Sequence, residues 1–159
     1  MHAASLTRRV SFSATHRYRR PEWDDAKNEA VFGSCARLEH HGHTYTCDVT
    51  VGGPVDETTG MVVDLRELDR ALRTEVVERF DHRNLNSDIA EFAEGRLIPT
   101  GENLARLIAE SVQRALGAAA VVSQVTVAED ATLSATWRSV SDGAAWRSVS
   151  ESATWRSSG

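Results

Sequence analysis

The chain has 159 residues, 41% of them hydrophobic and 26% charged, which fills one compact core and is short for two. A formal net charge of -5 gives no general attraction to nucleic acid or to an anionic membrane, so a polyanionic ligand has to be met by a local cluster of bases. Nothing is apolar for long enough to span a bilayer, the opening MHAASLTRRVSF lacks the apolar centre of a signal peptide, and two cysteines do not make a disulfide framework, so a cytoplasmic single-domain protein is expected.

Along the chain, Val10, Phe12, Ala14 and His16 alternate with Ser11, Ser13 and Thr15, which predicts a half-buried strand over residues 4–16 with His16 on its apolar face. RYRR at 17–20, with Lys27 and Arg37, is the densest basic stretch and reads as a charged loop. From 41 to 51, His41, His43, Tyr45, Cys47, Val49 and Val51 share one parity, giving a second strand that Gly52, Gly53 and Pro54 close. Asp64 followed by Glu67 resembles a capping box, and Leu65, Leu68, Leu72, Val76 and Phe80 predict an amphipathic helix ending near Asp81. A second helix should start at Thr100, turn Leu104, Leu107 or Ile108, Val112 and Leu116 inward, and stop at Gly117. Val121, Val125, Val127 and Glu129 fall on one face of a third strand, and residues 132–138 offer a fourth.

The order strand, strand, helix, helix, strand, strand predicts an α+β fold: a four-stranded antiparallel sheet with two helices on one face. Both sheet margins are open, so pairing between copies through those margins is expected. The domain is taken as residues 1–138 with 139–159 as a tail, and Trp-Arg-Ser recurs with a period of nine from the end of the domain into that tail, at Trp137, Trp146 and Trp155. That tail is too polar to build a core, which leaves a flexible duplication or a Trp-anchored partner segment.

The chemistry concentrates in FGSCARLEHHGHTY, residues 32–45. His41 and His43 on one strand point to the same face, with Gly42 between them leaving room for a ligand near the backbone. With His16 they offer three imidazoles and an open position, a donor set that suits catalytic zinc; the alternative is a group of hydrogen-bonded core histidines. His40 has the wrong parity. Cys35 enters the strand from a loop and is either a fourth ligand or a reactive thiol, whereas Cys47 reads as packing. Asp81 and His82 are adjacent and can form an oriented proton relay, against the reading of an ordinary helix-end loop. Glu129 closes an apolar strand face, where a carboxylate is costly unless it grips a ligand, and its two oxygens match a guanidine-like edge.

Together, FSATH, Asn28 before FGSC, a cysteine followed after five residues by HGH, then TGMVVDL, DHRNLN, PTGENLA and VAED resemble the 6-pyruvoyl-tetrahydropterin synthase and 6-carboxytetrahydropterin synthase family over roughly residues 5–138. The resemblance implies a tunnelling fold in which four-stranded subunits join edge to edge into barrels, commonly stacked as hexamers. It implies zinc held by His16, His41 and His43, Cys35 as the catalytic thiol, Asp81 and His82 completing the proton-transfer set, and Glu129 gripping the pterin with Thr100 and Glu102 beside it. The implied substrate is 7,8-dihydroneopterin triphosphate, whose triphosphate the charge distribution assigns to Arg19, Arg20 and Lys27.

Two products are open. The spacing between Cys35 and His41 resembles the pyruvoyl type, while the short Ala- and Arg-rich chain looks bacterial, a setting of the deazapurine branch; the expectation leans to 6-carboxytetrahydropterin plus acetaldehyde on the queuosine route. Rival readings are a non-catalytic module that binds pterin and zinc and recruits a partner through the tail, and a reaction run by Glu39 instead of Cys35. Thr44 after HGH and Gly101 in PTGE depart from the family pattern, and the Trp-Arg-Ser repeats lie beyond it.

Overall fold

The computed structural model describes residues 2–37 and 41–140; Glu39, His40, Trp146 and Trp155, and with them most of the tail, lie outside that range. Strand β1 (Ala3–His16) and strand β2 (His41–Pro54) run antiparallel over their whole length, from Ala3 opposite Pro54 to His16 opposite His41. One face carries Phe12, Ala14, Tyr45, Cys47, Val49 and Val51, all buried, while the other presents hydroxyls such as Ser13, Thr44 and Thr50. This one-sided burial follows from the alternation in the sequence.

Between these strands the chain forms helix α1 (Asp25–Phe32) and a 3-10 turn, Gly33–Ala36, where a charged loop is expected from the sequence. Its helical pattern is invisible because polar bonds hold it. The Asp24 side chain accepts from Lys27 N, and Asn28, 1% exposed, donates from Nδ2 to the carbonyls of Arg20, Trp23 and Asp24 while accepting from Arg20 N.

After β2 come helix α2 (Leu65–Leu72), a π-helical turn Arg73–Val77, and helix α3 (Glu78–Phe80). Leu68, Leu72, Val76 and Phe80 are wholly buried; the wider π turn suits a stripe that repeats every four residues. Leu65, at the first helical position, is 46% exposed because it stands at the end of that stripe. Asp64 caps the helix, but through Arg66 N.

The chain then crosses the margin of β1. Ser13 N donates to Asp81 Oδ1 at 2.7 Å and His82 N donates to Ser13 O at 2.7 Å, and this grip draws Arg83–Asn84 into a short strand, β3, parallel to β1. Among the described residues the sheet is therefore mixed and five-stranded where four antiparallel strands were expected. Helix α4 (Leu85–Asp88), a 3-10 turn Ala90–Phe92 and helix α5 (Gly101–Leu116) follow, the last capped by Thr100.

Strand β4 (Val121–Ala128) and strand β5 (Ser134–Arg138) complete the order β3-β1-β2-β4-β5. A bulge shifts the β2–β4 register between Thr50 and Val51, so Val122 is buried and Val121 is exposed, the reverse of the parity read from the sequence. The sheet packs its apolar face on α2, α3 and α5, and each fully buried Leu, Val or Phe contributes about 1.5–3 kcal/mol. Among the described residues, no helix is long and apolar enough to cross a membrane.

Candidate functional site

The strand pairing assembles the histidines. His16 ends β1, His41 begins β2 opposite it, and His43 follows two residues on, so all three rings lie at one end of the sheet on its apolar face. One ligand nitrogen from each lies within 4.8 Å of the others, and His16 Nε2 is 2.9 Å from His41 Nε2. His43 Nε2 is buried without a hydrogen-bond partner, 3.6 Å from Glu129 Oε2. Three converging imidazoles, one with an orphaned buried nitrogen, fit a divalent metal and can hold one.

Gly42 serves the strand pairing: a Cβ there would meet Thr15 Cγ2 at 3.1 Å and Ala14 O at 3.2 Å, so the glycine lets β2 press against β1.

Cys35 sits in the 3-10 turn with its Sγ 3.7 Å from His41 Nε2 and outside the three-histidine group, while its carbonyl accepts from Tyr18 N at 2.8 Å. Burial, and then the charge of Glu129, push its thiol up. Cys47 is fully buried in the core, and burial drives its thiol up to about 12, as packing requires.

Glu129, 8% exposed, stands one residue beyond β4 and accepts from Tyr18 OH at 3.2 Å. It borders a cavity of about 290 Å³ that Tyr18, Phe32, Thr100, Gly101, Glu102 and Ala135 help to line. The predicted substrate contacts Thr100, Glu102 and Glu129 are thus brought together. Tyr18, which links Glu129 to the ring of His16 at a centroid distance of 4.8 Å, was missed, although it continues the parity of His16. Tyr45 was missed as well: it shares the parity of His41 and His43, and its hydroxyl lies 2.7 Å from His16 Nδ1.

Asp81 and His82 occupy the outer margin of β1, the side away from β2. Their side chains approach to 3.5 Å, with the His82 side chain 86% exposed. His82 adopts φ 56°, a left-handed conformation rare for a residue with a Cβ, which turns its imidazole outward.

The basic residues divide. Arg19 binds Asp25 at 2.6 Å and lines a second cleft of about 290 Å³ with Arg17, Arg96, Asn84, Asn86 and Glu94. Arg20 lies 4.0 Å from Glu22, and Lys27 covers the Trp23 ring at 4.5 Å; neither lines that cleft. Arg17 Nε donates to Ala36 O, which ties the cleft to the Cys35 turn.

A family profile described as 6-pyruvoyl tetrahydropterin synthase matches residues 5–139. The 6-pyruvoyl tetrahydrobiopterin synthase of Drosophila melanogaster is 42% identical over 126 residues, 79% of this chain and 74% of that protein. A dihydroneopterin monophosphate aldolase of Pyrococcus furiosus is 32% identical over 113 residues, 71% of this chain and 78% of that one. The solved structure of the Caenorhabditis elegans 6-pyruvoyl tetrahydropterin synthase superposes with a TM-score of 0.81 at 33% identity, covering 87% of this chain and 97% of that chain. With the profile spanning nearly the whole described fold and the metal-ready histidines at its sheet end, this chain belongs to the 6-pyruvoyl tetrahydropterin synthase family.

Proposed function

We propose that the chain is a zinc-dependent lyase that converts 7,8-dihydroneopterin triphosphate to 6-pyruvoyl-tetrahydropterin with elimination of triphosphate, the catalytic domain being residues 1–138. The observation that carries this reading is the convergence of His16, His41 and His43 next to the Cys35 sulfur, beside the cavity bordered by Glu129. Zinc held by the three histidines would supply Lewis-acid polarisation of the substrate's side-chain oxygens, which acidifies the neighbouring carbon.

Glu129 accepts two N–H bonds from the guanidine-like edge of the pterin, with Tyr18 OH orienting its carboxylate. Thr100 and Glu102 border the same cavity and complete the pocket. Cys35, as the thiolate that a cation beside its sulfur would favour against burial, takes the proton of the side-chain carbon next to the ring and returns it to the ring carbon, while the hydroxyl proton of that carbon passes to the neighbouring ring nitrogen as the oxygen becomes a carbonyl. The ring gains two hydrogens and the side chain loses two, with no external redox cofactor, and loss of a proton from the next side-chain carbon expels the triphosphate as its C–O bond breaks. Asp81 and His82 exchange protons with the oxygens, and since both line the outer margin of β1, they do so most readily in the site of an adjoining copy. Arg19, with Arg17 and Arg96 in the second cleft, takes the triphosphate in preference to Arg20 and Lys27.

Of the two products, the pyruvoyl compound is favoured by the five residues between Cys35 and His41 and by the name of the Drosophila relative. Incubation with 7,8-dihydroneopterin triphosphate followed by mass spectrometry tests the reading. Release of triphosphate with the pyruvoyl product supports it, acetaldehyde with 6-carboxytetrahydropterin moves the chain to the deazapurine branch, and bound pterin without turnover makes it a binding module. Cys35→Ala should lower turnover by about 10²–10⁴-fold with one zinc per subunit retained. Zinc loss in that variant would instead make Cys35 a ligand.

A further inference from the structure

We infer that Tyr45 is a positioning residue for the metal centre: its phenol oxygen accepts the Nδ1–H of His16 and fixes that imidazole in the tautomer whose Nε2 lone pair faces His41 and His43. The inference rests on the proposed reading of these histidines as zinc ligands. Its observation is the 2.7 Å contact between Tyr45 OH and His16 Nδ1, in a place where both side chains are 0% exposed. A neutral imidazole carries a single N–H, so the nitrogen that holds the proton is the nitrogen that cannot ligate. Away from solvent, a proton on Nδ1 needs an acceptor there, and the phenol oxygen is in place.

The fold holds that oxygen still. Tyr45 pairs across the strands with Phe12, whose ring stacks on it at a 5.0 Å centroid distance and 15° between planes. Next along β1 on the same face comes Ala14, then His16. The single methyl of Ala14 leaves the gap through which the Tyr45 hydroxyl reaches diagonally to the histidine. On the other side of the ring, His16 Nε2 lies 2.9 Å from His41 Nε2, which marks the direction in which its lone pair is needed. Hydrogen-bonded groups behind metal-bound histidines set ring orientation and ligand basicity in this manner, and their loss weakens metal affinity by about 10–100-fold.

Tyr45→Phe keeps the ring and its stacking and removes the oxygen alone. Zinc affinity of the purified full chain and of the variant is measured by competition with a chromogenic chelator. The variant should bind zinc about 10-fold or more weakly, with the far-ultraviolet circular dichroism of the folded chain unchanged. Equal affinity in a folded variant overturns the role of Tyr45 and leaves the metal reading standing, whereas a wild-type chain that takes up no zinc removes both. Should the variant fail to fold, histidine ¹⁵N spectra of the zinc-loaded wild type decide. His16 with its proton on Nδ1 supports the inference, and a proton on Nε2 overturns it.

Discussion

Gly101 stands at the first position of α5 inside the cavity of Glu129, where a hydroxyl residue was expected from the family pattern. A Cβ at that position would meet Ala135 Cβ of β5 at 3.0 Å. The methyl of an alanine has no rotamer by which to retreat, so the β5 backbone would have to shift. Gly101→Ser should therefore destabilise the fold by about 1–3 kcal/mol, offset in part by the lower backbone entropy of the unfolded chain. Combining it with Ala135→Gly should recover much of that loss, read as a favourable coupling in a double-mutant cycle by denaturant unfolding. Additive losses would show that the two positions do not crowd each other. The same scale shows what a sequence reveals of a site. Parity puts His41 and His43 on one face and His16 on the apolar face of its own strand, while the register that sets His16 opposite His41 is visible only in the fold; Glu129 stands out in the sequence because a carboxylate on an apolar face is costly unless paired. Tyr18 and Tyr45 obey the same parity, yet a tyrosine among apolar residues reads as packing until its hydroxyl is seen to end on Glu129 Oε1 or His16 Nδ1.

At the scale of elements, the hairpin between β4 and β5 rests on Asp130, whose Oδ1 accepts from Thr132 N at 2.6 Å, Thr132 Oγ1 at 2.8 Å and Leu133 N at 2.9 Å. The backbone N–H of Thr132, then its hydroxyl and the N–H of Leu133, hold the Asp130 carboxyl below its ordinary value. The sign follows: with a folded pKa below the unfolded one, its stabilising effect is complete above about pH 4 and is lost as pH falls through the depressed folded value. Asp130→Asn retains an acceptor oxygen but cannot titrate. Its melting temperature should fall less steeply than that of the wild type between neutral pH and pH 2, and parallel curves would remove the assignment. Asp130→Ala, which loses all three bonds, should melt lower than either at pH 7. The predicted elements with clear apolar periodicity formed within a few residues of their expected limits. Helix α1 was illegible because side-chain bonds of buried Asn28 to its own loop hold it without an apolar stripe, strand β3 because the tertiary grip of Asp81 on Ser13 specifies it, and the β4 bulge because no local residue pattern announces a register shift.

Among the described residues, the sheet ends at β5 on one side, and on the other β3 covers only Ala14 and Thr15 of β1, which leaves most of that strand's margin open. Exposed margins of this length invite pairing, and a homo-oligomer, a hexamer on the family resemblance, is the state proposed here. The ladder between β4 and β5 is bounded by Glu129 N donating to Leu133 O and Ser139 N donating to Ser123 O. Antiparallel pairing alternates, so Ala135 and Trp137 bond inward to β4 while Ser134, Thr136 and Arg138 turn their N–H groups outward. Proline at an outward position removes a donor from the margin while leaving the internal ladder intact. Thr136→Pro should then convert an assembly that is a multiple of 17.4 kDa into monomers by light scattering after gel filtration, with the circular dichroism spectrum kept. Turnover should fall with it, because Asp81 and His82, at the outer margin of β1, are proposed to act in the site of an adjoining copy. A monomeric wild type, or a variant that stays assembled, would end the margin-pairing proposal. Monomers with full turnover would return Asp81 and His82 to the reading of an ordinary helix-end loop.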